Sequence, residues 1–476
     1  MKLSIAGQAY EHPSRDINFQ RCVNWFPTTS GETGQGPKPV LLPTPGLYQL
    51  VDTSGNQVRA LMPYNNTIYA IVDATLYEIT VNQNAKTATA TSRGTINTTS
   101  GAISWASNPT QLMIVDGTDG YIYTPANTTL TEISDADFAG ATMVVFMDSY
   151  FIINNPSSAI LQASAVNDGT SWNALDVTTA EGKNDNLVGL AVDKRELWAF
   201  GRTTVEVYWD AANATAFPFS RREGAYIDQG CAAAESILNI DNSIMWLDDR
   251  GFVVRAEGYT PVIISTEAIN HAIESYPTIS DAYAYQHKEG GHLFYVLNFP
   301  SSGKTWAYDV FTKLWHERAY LSQDASLEHH LARNCVRVDG WNIVGARNSG
   351  KIYLMDRDYY DDAGQSIRRI RTTAPETMEL SQIGIDSLEL QLDAGQGLVT
   401  GQGSDPQIMM RYSHDGGYTW SSELWRSTGK IGEYDKRVRW NRLGSGREWI
   451  FEFAITDPIK CSLIDAYVNI SGVGNA

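Results

Sequence analysis

Residues 59–79 read RALMPYNNTIYAIVDATLYEI. An apolar strand meets the turn Asn65-Asn66, a second strand runs from Thr67 to Val72, and a polar turn at Asp73 leads into a third. The β-branched and aromatic residues of Thr67-Ile68-Tyr69-Ala70-Ile71-Val72 are those of a pleated strand with a buried face. The same grammar returns from Ala102 (AISWASNPTQLMIVDGTDGYIY), Ala141, Leu187, Ala232, Ala282 and Cys335 (CVRVDGWNIVGARNSGKIYLMD). The starts lie about 40 to 53 residues apart, the length of one four-stranded propeller blade. The fold class that follows is all-β: a β-propeller of about seven blades over residues 50–365. Stacked antiparallel meanders in a sandwich are the competing arrangement. The propeller places Ile71, Ile114, Ile152, Trp198, Trp246, Tyr295 and Ile343 on inner or middle blade strands.

One segment breaks the pattern. Ser265-Thr-Glu-Ala-Ile-Asn-His-Ala-Ile-Glu predicts a short packing helix, with a hydroxyl N-cap, Glu267 in its first turn, and Ile269 and Ile273 on one face. The two ends differ from the middle. Residues 1–49 form a Pro/Gly-rich arm holding Pro13, Pro27, Pro37, Pro39, Pro43, Pro45, Gly31, Gly34 and Gly36, which excludes long regular elements. Its apolar patch Val23-Asn-Trp25-Phe26 predicts packing against another part of the protein. Residues 366–476 carry Leu388-Glu-Leu390-Gln-Leu392 and Trp449-Ile-Phe451-Glu-Phe453, the strands of an additional C-terminal β-domain.

A chain of 476 residues exceeds one ordinary core, and its 13 Trp, 24 Tyr and 39 Gly suit sheets and tight turns. No apolar run reaches the ~20 residues of a membrane span, and the N-terminus lacks the pattern of a secretion signal. Cys22, Cys231, Cys335 and Cys461 lie far apart, so free, buried or half-buried thiols are expected, with no metal and no cofactor. The net charge of −18 is concentrated: residues 59–365 hold 20 basic and 36 acidic side chains, a net of −16. A protein gripping DNA by its phosphates would carry the opposite sign.

The sharpest local motif is Ser413-His-Asp415-Gly-Gly417-Tyr-Thr419-Trp420, an Asp-box hairpin. Its structural residues are Ser413, Asp415, Gly417, Thr419 and Trp420: the carboxylate accepts N–H groups across the turn, Gly417 takes a conformation other residues resist, and the indole packs beneath. Asp-boxes recur in sialidases, which makes a carbohydrate-binding or glycosidase propeller the alternative function. Catalysis of that kind needs paired carboxylates or a Tyr nucleophile with its acid, and the sequence pairs none, so no catalytic residue is assigned. His329-His330, with His316 and Cys335, suggest a metal site only superficially, because adjacent residues on a strand face opposite ways; surface histidines are expected. Arg368-Arg369-Ile-Arg371 and Lys436-Arg437-Val-Arg439 are short basic clusters that suit solvated faces or intersubunit ion pairs as well as phosphate contacts.

Two long stretches carry a family resemblance. The first runs from Trp246-Leu-Asp-Asp-Arg-Gly-Phe through Asp281-Ala-Tyr-Ala-Tyr285 and Gly291-His292 to Leu314-Trp315-His316-Glu317-Arg318. The second runs from Met410-Arg-Tyr-Ser-His-Asp through Gly429-Lys-Ile-Gly-Glu-Tyr434 to Ile455-Thr-Asp-Pro458. Together they resemble the packaged-DNA stabilisation proteins, tail-hub or nozzle components of short-tailed bacteriophages, over about half of the chain (residues 240–460). Asn24-Trp25-Phe26-Pro27 and Pro45-Gly46-Leu47 fit the same family more loosely. The resemblance implies a propeller with an extra β-domain and a homo-oligomeric ring, six copies, below the portal and adaptor (head-to-tail connector) rings. It further implies contacts to the tail needle and to tailspike or fibre proteins, residence in the virion after synthesis in the host cytoplasm, and passage of duplex DNA without specific binding. It brings no catalytic residues.

Overall fold

Among the described residues seven four-stranded antiparallel blades follow one another and close into a ring, five of them as separate sheets and two as parts of larger sheets. The computed structural model describes residues 1–15, 17–30, 38–180, 182–183, 185–213, 216–378 and 381–474. Gly31, Gly34, Gly36 and Pro37 of the arm lie outside the described residues. Blade 1 runs from Val58–Tyr64 to Thr87–Thr95, blade 2 from Ser104–Ser107 to Thr129–Glu132, and blade 3 from Val144–Met147 to Asp168–Thr179. Blade 4 runs from Leu187–Asp193 to Phe219–Arg221, blade 5 from Leu238–Ile240 to Thr260–Ile263, and blade 6 from Tyr283–Glu289 to Trp315–Arg318. Blade 7 takes three strands from Ala332–Val338, Trp341–Ala346 and Lys351–Asp356, and its fourth from Gly46–Asp52 near the other end of the chain.

The repeat is set by its turns and its second strands. In six blades the first hairpin turns on two consecutive residues of positive φ, such as Asn65-Asn66 and Asp241-Asn242, the backbone that matches strand twist. Blade 2 differs: the Asn108 carboxamide oxygen accepts the N–H groups of Thr110 and Gln111 across a longer turn. Ile71, Ile114, Ile152, Trp198, Trp246, Tyr295 and Ile343 each fall on the second strand of their blade and are buried. Flanked by a strand on each side and a blade above and below, these positions are apolar on both faces. The helix forms as Glu267–Glu274, capped by Thr266, with Ile269 and Ile273 packed into the core of blades 5 and 6.

The C-terminal domain is a sandwich of two sheets, and the arm contributes to both. In one sheet the hairpin Trp25–Ser30 and Lys38–Pro43 lies beside Leu463–Gly474, followed by Gln382–Leu392 and Val438–Gly446. The other sheet continues blade 6. Trp315–Arg318 pairs parallel with Cys22–Val23, which pairs antiparallel with Arg369–Thr372; Glu448–Ile455, Gln407–Ser413 and Leu424–Ser427 follow. Trp25, Leu41, Trp440, Trp449, Phe451 and Leu463 meet in the sandwich core. The described residues of the arm are therefore four pieces of other elements: Lys2–Leu3, which pairs with Leu463–Gly474, a bridge between propeller and sandwich, a hairpin of the sandwich, and the start of the strand that closes blade 7.

Candidate interaction site at the arm-bound seam

The seam between blade 6 and the sandwich is held by a knot of polar groups around Asn24, a buried residue at φ 56°. Its backbone N–H donates to the Glu317 carbonyl at 2.9 Å, and its carbonyl accepts from the N–H of Thr44. Its carboxamide donates to the carbonyls of Ala319 and Arg368 and accepts the Ala319 N–H, all at 2.9 Å. Asn suits this place because it tolerates the left-handed backbone and offers donor and acceptor together. Next to it, Trp25 donates from Nε1 to the Cys461 carbonyl at 2.8 Å, across the sandwich core.

Beside the knot, Glu317 receives Arg21 at 3.0 Å and Lys304 at 2.7 Å. Burial alone would raise its carboxyl; Arg21 and Lys304 overcome that and hold it down to about 2. The three groups line a cleft of about 370 Å³, together with Tyr276 and Trp306 and with arm residues that include Gln8, Glu11, Arg15 and Gln20. Two further contacts pin the arm. The Tyr10 hydroxyl donates to Glu267 of the helix at 3.0 Å. The Arg15 guanidinium stacks on the rings of Phe19 and Tyr418, at 4.8 and 5.0 Å, and reaches the Gly417 carbonyl.

That last contact gives the Asp-box a place in the molecule. Ser413 Oγ donates to Asp415 and accepts the Gly417 N–H; Asp415 accepts the Thr419 N–H at 2.8 Å and its hydroxyl at 2.6 Å. The Thr419 hydroxyl and N–H, with the Ser413 hydroxyl, hold the Asp415 carboxyl down to about 2. Such a group stays ionised at neutral pH and is no general acid. Gly417 stands at φ 82°, and a Cβ there would lie 2.9 Å from the Phe19 ring. Trp420 is half-buried, its ring beside Phe19 and under the Arg411 guanidinium. The hairpin is thus the platform on which the arm docks.

Other expected sites fall differently. His329 and His330 are buried rather than on the surface. His330 lies with His287 and His316 near the interior Arg318, whose Nε and Nη2 reach His316 and His287 at 3.2 and 3.1 Å, while His329 packs against the Tyr283 ring. Burial depresses all four imidazoles, reinforced by the Arg318 charge at His287, His316 and His330 and by Arg347 and Arg333 at His329, so they are neutral at neutral pH. Among the described residues no three His, Cys, Asp or Glu side chains gather as metal ligands. Cys22, Cys231 and Cys461 are buried and Cys335 half-buried, all free. Arg369 and Arg371 are interior side chains, on a strand that is central in its sheet, between Cys22–Val23 of the arm and Glu448–Ile455. They cannot meet a phosphate from solution, whereas Arg368 pairs with Glu423, Arg437 with Glu389 and Lys436 with Glu433 at the surface. Sequence reasoning missed Arg15, Arg21 and Lys304 altogether. Asn24 stands in the sequence only within an apolar patch and a family phrase and Glu317 only within a family phrase, and no spacing links them to each other.

Comparison with known families decides the assignment. A family model described as Bacteriophage P22 Gp10, beta-propeller, matches residues 1–360, and one described as Bacteriophage P22 Gp10, beta-sandwich, matches residues 370–471. The chain belongs to the bacteriophage P22 Gp10 family. It is a structural protein of the phage tail, and its place is the virion. A search of curated proteins found no match. Among solved structures, PorZ of the type-IX secretion system of Porphyromonas gingivalis is 10% identical with a TM-score of 0.39, over 65% of this chain and 38% of its own. The extracellular domain of BT4673 from B. thetaiotaomicron is 9% identical with a TM-score of 0.43, over 80% of this chain and 47% of its own. The chain therefore spans less than half of either. YCF48 bound to D1 peptide is 10% identical with a TM-score of 0.40, over 66% of this chain and 97% of its own.

Proposed function

We propose that this protein is the tail hub, or nozzle, that extends and closes the portal–tail DNA channel, retains the packaged genome and lets it pass on ejection. The observation that carries the reading is a Gp10-family body whose propeller region bears a net −16. Duplex DNA carries one negative charge per ~1.7 Å of axis, so basic walls would hold it by counterion release and acidic walls let it slide. Retention then comes from blocking the channel together with the needle, without affinity for the duplex. In this reading six copies form a ring on the adaptor, with tailspike or fibre proteins as outer neighbours, and no step is enzymatic.

Two measurements test it. Phage particles assembled without this chain should fill with DNA and then lose it; heads that keep their genome would overturn the retention role. Purified chain should bind duplex DNA negligibly at ~0.15 M salt, where non-specific binders reach 10⁻⁴–10⁻⁶ M. Micromolar, salt-sensitive binding would overturn the sliding channel.

A further inference from the structure

Charge is distributed along this chain in two opposite blocks. Residues 94–182, which make blades 2 and 3, contain nine Asp and Glu and no Lys, Arg or His. Residues 424–447, in the sandwich, contain seven Lys and Arg against two Asp and Glu. The fold sets these blocks at opposite ends. Blade 6 is continuous with the sandwich, and in a ring of seven, blades 2 and 3 are the pair farthest from blade 6. The basic block lies along the open edge of the sandwich, where Leu424–Ser427 and Val438–Gly446 are the last strands of their sheets.

Each block also carries exposed apolar side chains among its charges. On the outer strand of blade 3, Leu175 is 75% exposed. Val177 is exposed beside it, and Asp176 stands between them. Asp135 and Asp137 adjoin the same strand, accepting the N–H groups of Trp172 and Ala174. On the sandwich edge Tyr434 is 72% exposed, and Trp425 and Ile431 are also exposed, with Lys430 and Lys436 flanking the loop. An apolar centre with a charged rim is the composition of a protein interface, and aromatic residues are its usual anchors. Opposite rims on two ends of one molecule favour a contact between unlike faces of two copies.

We propose that the basic edge of the sandwich docks on the acidic blade 2–3 pole of a second copy of this chain. The contact is heterologous: each copy uses one face to the left and the other to the right, and repetition closes a ring when the rotation allows. This rests on the ring-forming tail reading and adds the two faces and their polarity to it. A nucleic acid would suit the basic edge by itself but not the acidic, apolar pole that balances it.

The test is sedimentation velocity on the full chain at ~0.02 M and ~0.5 M salt, where screening lengths differ several-fold. The wild type should associate with concentration at low salt and fall apart at high salt. Lys430→Glu/Lys436→Glu and Leu175→Lys/Asp176→Lys should each weaken association at least ~10-fold. Leu175, Lys430 and Lys436 are exposed and Asp176 is half-buried, and circular dichroism should confirm that both variants fold. Mixing the two variants, or combining all four changes in one chain, should restore association through the swapped charges. Association that neither pair alters, a wild type monomeric at low salt, or swaps that fail to rescue would overturn the contact. Duplex DNA binding lost in Lys430→Glu/Lys436→Glu would overturn it too and assign the edge to nucleic acid. Mass spectrometry of purified virions keeps the two claims separable. A chain present in virions but insensitive to these changes sinks the contact alone; a chain absent from virions yet associating sinks the tail reading alone.

Discussion

Blades 1 to 5 and the half of the molecule built from blades 6 and 7 and the sandwich solve the same problem in different ways. Each of the first five blades is a contiguous stretch whose strands pair with the next in sequence. The other half is sewn together by the first 52 residues. Its blade 7 is closed by Gly46–Asp52, its blade 6 is joined to the sandwich through Cys22–Val23, and the sandwich core holds Trp25, which donates to a carbonyl 436 residues away. Closing such distances costs loop entropy before any contact is made, so this half is expected to form late and to depend on a few anchor residues. Blades 1 to 5 spread their stability over many equivalent positions. The difference is one between redundancy and a single thread.

The largest effect should come from cutting that thread. Trp25→Ala removes a fully buried indole and the hydrogen bond it makes, a loss of about 4 kcal/mol. Ile114→Ala, in the second strand of blade 2, should cost about 3 kcal/mol by the same cavity argument. The two should differ in reach. Hydrogen exchange should show Trp25→Ala deprotecting Gln382–Leu392 and Leu463–Gly474 while blades 2 and 3 stay protected, and Ile114→Ala should do the reverse. Uniform deprotection by either would show one cooperative unit and break the comparison. Asn24→Ala comes next, at about 3 kcal/mol, because it leaves buried groups of Ala319 and Arg368 unpaired. Proteolysis within residues 8–22 should accelerate in that variant; an unchanged cleavage rate would mean that the arm is held elsewhere.

The seam should also respond to acid more than the blades do. Glu317 has a folded-state pKa depressed from 4.5 to about 2, so its contribution is complete above about 4.5 and is lost as pH falls towards 2. Its partners Arg21 and Lys304 are about a quarter and a third exposed, so the contribution is on the order of 2 kcal/mol once water screening is allowed for. Denaturant titrations at pH 6 and pH 3 should therefore differ more for the wild type than for Glu317→Gln. An equal loss in both proteins would remove Glu317 from the account.

The same contrast explains what the sequence could disclose. Blade positions such as Ile71 and Trp246 are legible because a local rule, apolar strand after polar turn, repeats at a nearly fixed interval. The arm follows no local rule. Val23-Asn-Trp25-Phe26 says that the segment packs, yet nothing in it says that Val23 pairs with Ile370 or that Asn24 bonds to Ala319. Arg369 and Arg371 look like a surface cluster because charge near charge reads as solvated; only the tertiary packing around their central strand makes them interior. His329 and His330 look exposed for the same reason. The Asp-box is the intermediate case. Its internal bonds follow from eight consecutive residues, whereas its docking partner Phe19 lies at the other end of the chain.

The smallest effect concerns that hairpin, and it separates the motif's local role from its role in the seam. Asp415 and Thr419 are exposed, so the N–H that loses its carboxylate in Asp415→Ala can turn to water. The penalty for a buried unpaired donor then does not apply, and the change should shift the melting temperature only slightly. Gly417→Ala is different in kind. It forces an alanine to φ 82° and sets its Cβ against Phe19, so the arm must move away even though every Asp415 bond is intact. Arm release should therefore follow Gly417→Ala and not Asp415→Ala, read as proteolysis within residues 8–22 at neutral pH. If Asp415→Ala frees the arm as readily, the carboxylate is holding the whole platform in shape. The hairpin would then belong with Asn24 and Trp25 among the few residues on which the sewn half depends.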